Sequence, residues 1–118
     1  MPTVKILLGQ IGTDWKRTVK ELVAENGELL IVGEVEKPVD ILLQARTANA
    51  DVVVLSQELQ GGEPGVCSHL LLEYPNVVVV LVPSDDGPDV LCRMALYREV
   101  RDASGEVLRN MLGKLEIK

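Results

Sequence analysis

Several features that mark particular classes of protein are missing from this sequence of 118 residues. No apolar stretch approaches the ~18 residues that a transmembrane helix needs, and residues 1–8 lack the cationic start and long apolar segment of a secretory signal. Twelve Lys and Arg stand against eighteen Asp and Glu, so the net charge is −6, and no basic cluster is present. We therefore expect a cytoplasmic protein that neither enters a membrane nor binds nucleic acid directly.

Cysteine and histidine are also scarce, with Cys67, Cys92 and His69 the only examples. A zinc site needs about four ligands with thiolate or imidazole among them, and these three residues are too few. We expect neither a metal nor a cofactor, and we interpret both cysteines as small apolar residues on helix faces.

The composition that remains is typical of a folded domain. Apolar residues make up 47% of the chain and charged residues 25%, which argues against disorder or a low-complexity tail. The length allows one sizeable core but not two. The sequence thus predicts a single domain over residues 1–118.

Five short apolar runs, at residues 4–8, 29–35, 51–55, 77–82 and, most weakly, 97–100, predict strands. They are rich in β-branched residues and continuous rather than alternating, as in a parallel sheet that is covered on both faces. In such a sheet functional residues gather where the strands end.

The segments between the strands have helical spacing. Their apolar residues predict five helices: Trp15, Val19, Leu22 and Val23 in the first; Val39, Leu42 and Leu43 in the second; Val66, Leu70, Leu71 and Tyr74 in the third; Val90, Leu91, Met94 and Ala95 in the fourth; and Val107, Leu108, Met111, Leu112 and Leu115 in the fifth. The predicted fold is α/β, a flavodoxin-like (βα)5 three-layer sandwich with a parallel five-stranded sheet of order 2-1-3-4-5.

Local signals place several helix ends. Thr13 or Asp14 is a candidate N-cap of the first helix, and Pro38 suits the first turn of the second. Asn26 and Gly27 predict a left-handed stop after the first helix, and Ser104 is a candidate N-cap of the last.

Four segments give the chain a resemblance to the receiver domains of response regulators, over nearly its whole length. They are Val-Lys-Ile-Leu-Leu at 4–8, Val-Gly-Glu-Val at 32–35, Asp-Val-Val-Val-Leu at 51–55 and Arg-Asp-Ala-Ser at 101–104. The last two look closest to receivers of the NarL/FixJ type. The resemblance implies a CheY-like signalling domain that belongs to two-component systems.

The resemblance also implies a phosphoacceptor pocket, and here its chemistry is missing. Receivers hold Mg²⁺ with two acids after strand one and an acceptor Asp ending strand three, and they place a hydroxyl after strand four and a Lys after strand five. These positions fall on Gln10 and Ile11, Ser56, Pro83 and Arg101. Without three carboxylates a Mg²⁺ ion has no reason to stay, so we expect a pseudo-receiver that does not transfer phosphoryl groups.

Alternatives remain at single positions of this pocket. Ser56 is interpreted as a small residue filling the pocket, since a serine without a base is a poor nucleophile, and Glu58 as a solvated loop residue rather than a displaced acceptor. Arg101 either keeps a cation over the pocket, bonded to Ser56 or Gln10, or pairs with Asp102. In receivers the hydroxyl residue after strand four and an aromatic residue three positions before the Lys move together on phosphorylation. Pro83 and Arg98 stand at these two positions here. A one-residue slip of the alignment would restore either with Ser84 or Tyr97.

We expect this domain to act by phosphorylation-independent protein–protein interaction and not as an enzyme. The partner is not identified by the sequence. The expected surface combines the predicted fourth helix, fifth strand and fifth helix, with Arg98, Leu108, Met111 and Leu112 on it. Either a second copy or another protein would bind there, because the apolar arc of the last helix is wider than one sheet-facing stripe needs.

The alternative function is that of a small enzyme or ligand-binding domain on the same fold. Gly9-Gln10-Ile11-Gly12 lacks the dinucleotide fingerprint, and an output domain following residue 118 is not predictable from this sequence.

Overall fold

A six-stranded sheet forms the centre of the protein. The computed structural model describes residues 3–56, 70, 72–74, 76–83, 90–94 and 98–113. Its strands are β1 (Val4–Leu8), β2 (Leu29–Glu34), β3 (Val52–Ser56), β4 (Val78–Val82), β5 (Val90–Met94) and β6 (Arg98–Asp102). They lie in the order β2-β1-β3-β4-β5-β6. The first four in this order pair in parallel, which confirms the predicted order 2-1-3-4 for that part of the sheet.

Strands β3 and β4 are apolar except for Ser56 because the sheet is covered on both faces. All five residues of β4 are buried, and so are the first four of β3. Alternate residues enter two separate clusters: Leu8 and Val54 belong to one, Leu7 and Val53 to the other. This is the period-two alternation of strands whose two faces are equally apolar.

Three described helices complete the layers: α1 (Thr13–Glu25), α2 (Pro38–Thr47) and α3 (Gly105–Gly113). Helices α1 and α3 cover one face of the sheet through Val19, Leu22, Leu108 and Leu112. Helix α2 covers the other face together with Leu70 and Tyr74, which are all that the structure describes of the predicted third helix apart from Leu72 and Glu73. The predicted α/β class with three layers is therefore present.

The buried face of α2 differs from the predicted one. The expected apolar stripe was Val39, Leu42 and Leu43, but Val39 and Leu43 are exposed. Ile41 and Ala45, four residues apart, face the sheet instead and are 2% and 5% exposed. The sequence carries two overlapping apolar stripes here, and packing against the sheet selects one of them.

The predicted fourth helix is wrong, because residues 90–94 form strand β5. β5 pairs antiparallel with β4 on one side and with β6 on the other, where all five of its residues are in register. The neighbours Leu91 and Cys92 are buried on opposite faces of the sheet. A five-residue helix segment could not form these backbone bonds or bury both faces.

The added strand changes the end of the sheet. The predicted fifth strand is β6, and it lies at the sheet edge, separated from β4 by β5. The sheet therefore has six strands and two antiparallel pairs instead of five parallel strands. Because two reversals cancel, β6 still runs in the direction of β4.

The predicted helix ends are confirmed at two positions. Ser104 caps α3, its Oγ accepting a hydrogen bond of 3.1 Å from the Val107 N–H. Pro38 occupies the first turn of α2.

Two other predicted ends are wrong. The N-cap of α1 is Gly12, not Thr13 or Asp14. After α1, Asn26 is extended, and its Oδ1 accepts a 2.9 Å hydrogen bond from the Glu28 N–H, so the helix ends in an Asx turn and not in a left-handed stop.

Candidate functional site

The carboxyl ends of β1, β3 and β4 lie side by side, and we call the residues there the carboxyl-edge site: Gln10, Ile11, Ser56 and Pro83. Leu8 is in register with Val54, and Ser56 with Val82. The Gly9 N–H donates a 2.8 Å hydrogen bond to the Val54 carbonyl, which extends the pairing beyond β1. The loop carrying Gln10 therefore leaves the sheet beside the end of β3.

The four residues of the site differ in their exposure. Gln10 is exposed, Ser56 is half-buried, and Pro83 is buried directly after β4. Ile11 is only 9% exposed and belongs to the same apolar cluster as Leu8 and Val82. A residue that the receiver pattern makes an acid is here part of the core.

The described atoms of this site offer little chemistry. Gln10 has an amide, Ser56 a hydroxyl and Pro83 no side-chain donor or acceptor. Within the described part of the chain, no three His, Cys, Asp or Glu residues lie close enough together to hold a metal ion. A hard dication prefers several carboxylate oxygens, and Gln10 and Ser56 supply only neutral ones. His69, Glu58 and Ser84, which were considered as a base, a displaced acceptor and a switch residue, lie outside the described residues.

Arg101 lies farther from this site than the sequence predicted. Ser56 is in register with Val82, Leu81 with Cys92, and Leu91 with Arg101. The backbone of Arg101 therefore lies in the same row as Ser56 but three strands away, or roughly 14 Å at a spacing of ~4.8 Å. This is one strand spacing more than the predicted five-strand order would give. The insertion of β5 is the physical reason.

A charged cluster that the sequence analysis missed lies on the neighbouring strand. The pairing of β1 with β2 shifts after Ile6, and this β-bulge places Glu34 opposite Leu8. The Glu34 carboxylate lies 3.1 Å from Lys20 Nζ and 3.6 Å from Lys16 Nζ, both on α1. Its pKa is lowered, chiefly by the hydrogen bond from Lys20. The four-residue spacing of Lys16 and Lys20 places both on one side of α1 and could have predicted that they share an acidic partner.

A groove of about 390 Å³ lies at the opposite edge of the sheet. Its polar lining comprises Arg46, Asn49, Asp51, Glu73, Tyr74 and Asn76. Two of these groups have partners within the fold: Asp51 Oδ2 accepts a 2.9 Å hydrogen bond from the Lys5 N–H, and the Tyr74 hydroxyl donates to the Leu42 carbonyl at 3.3 Å. We assign no ligand to this groove.

Comparison with known proteins assigns no family to the chain. No protein-family model matches it, and no curated protein is significantly similar to it in sequence. None of the described helices is long and apolar enough to span a membrane.

The predicted interaction face loses two of its members. Leu108 and Leu112 are both 0% exposed, since they pack between the sheet and α1. The described part of the apolar arc lies inside the fold, because Val107, Leu108 and Leu112 belong to or pack against a core cluster that also contains residues of α1 and of the sheet. Arg98 is the first residue of β6 and Met111 lies in α3, and their part in an interface stays a prediction. Tyr97 lies outside the described residues.

Proposed function

We propose that this protein is a pseudo-receiver, a domain that signals by binding other proteins without accepting a phosphoryl group. The sheet order β2-β1-β3-β4, with α1 and α3 on one face and α2 on the other, supports this proposal. We propose the fold as a variant of the flavodoxin-like (βα)5 arrangement in which a strand, β5, stands in place of the fourth helix. The reducing cytoplasm is the proposed location.

The observation that carries the proposal is the position of Ile11. In a working receiver this residue would be an acid beside the metal, and here its side chain is buried among apolar neighbours. One position of the proposed metal site therefore belongs to the hydrophobic core and is not an empty ligand position. Gln10 and Ser56 then remain as neutral groups at the edge, where neither can accept a phosphoryl group without activation.

A protein-binding role is the remaining use of such a domain. A rigid sheet with helices on both faces presents several surfaces whose shape does not depend on a bound ligand. We propose that β5, β6 and α3 form the interaction surface in place of the expected helical one, and that Arg98 and Met111 contribute to it. The output would then be set by binding alone.

Amide chemical shifts measured while Mg²⁺ and beryllofluoride are added test this proposal. We expect no saturable shift at residues 9–12 or 56 at millimolar Mg²⁺, beyond the change produced by NaCl at the same ionic strength. A saturable response centred on those residues would overturn the proposal.

A triple variant serves as the positive control. Gln10→Asp, Ile11→Asp and Ser56→Asp together place at this edge the three carboxylates that a Mg²⁺ site of the receiver kind needs. We expect it to be less stable than the parent in chelator, because the acids repel each other, and to respond to Mg²⁺ at those same residues. If it ignores Mg²⁺, the receiver register assigned to this edge is wrong.

A further inference from the structure

The outer face of α2 carries apolar side chains that none of the described elements covers. Val39 is 66% exposed and Leu43 is 55% exposed. They are four residues apart and therefore adjacent on the helix surface. Single exposed aliphatic residues are ordinary, but a neighbouring pair on the side of a helix that points away from the core forms a small continuous patch.

The charges around this patch have an ordered arrangement. Asp40, Leu43 and Arg46 follow one another at three-residue spacing, so they form one ridge on the helix surface. Both charged residues are exposed, and neither has an ion pair with any residue of the described ranges. The acid and the base lie at equal distances on either side of Leu43.

We propose that this α2 face binds a second copy of the same chain about a two-fold axis through Leu43. A two-fold axis requires one surface that is complementary to itself. Reversing the ridge places Asp40 of each copy opposite Arg46 of the other and brings the two Leu43 side chains together at the centre. Superposed three-residue ridges make the helices cross steeply, with Val39 packing beside the crossing point.

The expected dimer is weak. Helix α2 has ten residues, and two such helices that cross steeply bury less than the ~1,200 Å² of a standard stable interface. We expect a dissociation constant of about 10 to 300 μM. The inference goes beyond the proposed function, since it uses no residue of the carboxyl-edge site, and either proposal can fail without the other.

Sedimentation of the full chain from ~10 μM to ~1 mM tests the association. We expect a reversible monomer–dimer equilibrium, and Leu43→Asp should weaken it by at least about tenfold, because it places two carboxylates at the centre of the interface. Because Leu43 is exposed, we expect the variant to stay folded, and circular dichroism checks this. A parent that is monomeric at ~1 mM, or a Leu43→Asp variant that dimerises as the parent does, would overturn the proposal.

A charge exchange tests the register. Asp40→Arg and Arg46→Asp should each weaken the dimer about three- to tenfold at low salt, and the double variant should recover the parent's affinity. Glu21→Arg is the matched control. Glu21 is exposed on α1, on the other face of the sheet, and its substitution changes the net charge by the same amount as Asp40→Arg. Failure of the double variant to recover, or an equal effect of Glu21→Arg, would refute the two-fold pairing.

Discussion

Replacing Gly9 by alanine is expected to destabilise the protein through one identifiable clash. Gly9 is buried where the chain leaves β1. A Cβ atom added there would overlap Leu55 Cδ2 and would also lie 3.2 Å from Ile41 Cδ1 and 3.3 Å from the Val54 carbonyl oxygen. Leu55 is 3% exposed and Ile41 2% exposed, so neither side chain can swing into solvent.

The magnitude follows from two opposing effects. Forcing an extra methyl group into a packed core costs about 1–3 kcal/mol. Alanine restricts the unfolded chain and returns about 0.4–1 kcal/mol. Because one of the close atoms belongs to the backbone of β3 and the Gly9 N–H bonds to that same carbonyl, the loop cannot move away without losing the bond. We expect a net loss of about 2 kcal/mol, or roughly 6–10 °C in Tm for a domain of this length.

Thermal and urea unfolding of Gly9→Ala and of two comparison variants measure this loss. Gly27→Ala is the matched control, since no atom lies within 4 Å of a Cβ added there, and it should leave stability unchanged or slightly higher. Leu55→Val removes the overlapped atom. It should therefore cost less in the Gly9→Ala background than in the parent. If Gly9→Ala is as stable as Gly27→Ala, the close packing of Gly9 against β3 is refuted.

Three further sets of substitutions test other parts of the structure. Ile11→Asp buries a carboxylate and should cost about 3 kcal/mol or more, whereas Gln10→Asp, at an exposed position, should change the unfolding free energy little. Ser104→Ala should lose about 1 kcal/mol and Ser104→Asp should retain it; equal losses would contradict a capping role. Because the folded pKa of Glu34 lies below its ordinary value, its contribution is present above that value and disappears as the pH falls through the folded pKa. Glu34→Gln should therefore be less stable than the parent at neutral pH and equal to it in strong acid, and a pH-independent difference would contradict this.

The local sequence pattern predicted most of the central sheet and two helix ends correctly. The runs around Val54 and Val80 are too apolar and too β-branched for anything but strands covered on both faces. Ser104 caps the turn that follows it, and Pro38 lies in the first turn of α2, so both predictions depended only on neighbouring residues. The interpretation of Gln10 and Ser56 as neutral edge residues also rested on position alone.

The wrong predictions concern features that depend on residues distant in the sequence. Residues 90–94 fit a helical stripe and a strand equally well over so short a window. The choice between them is made by backbone bonds to β4 and β6, which the local pattern does not contain. The same strand then moves Arg101 away from Ser56.

Local composition and spacing were enough to predict the α/β class, the parallel order of β1 to β4 and the neutral residues Gln10 and Ser56 at the carboxyl edge. Two other features depended on packing between distant segments: which of two overlapping stripes on α2 is buried, and whether Leu108 and Leu112 are exposed. A periodic apolar pattern states how many faces of a helix could be buried. How many are buried depends on the neighbours: α3 contacts both the sheet and α1, whereas α2 leaves Val39 and Leu43 uncovered.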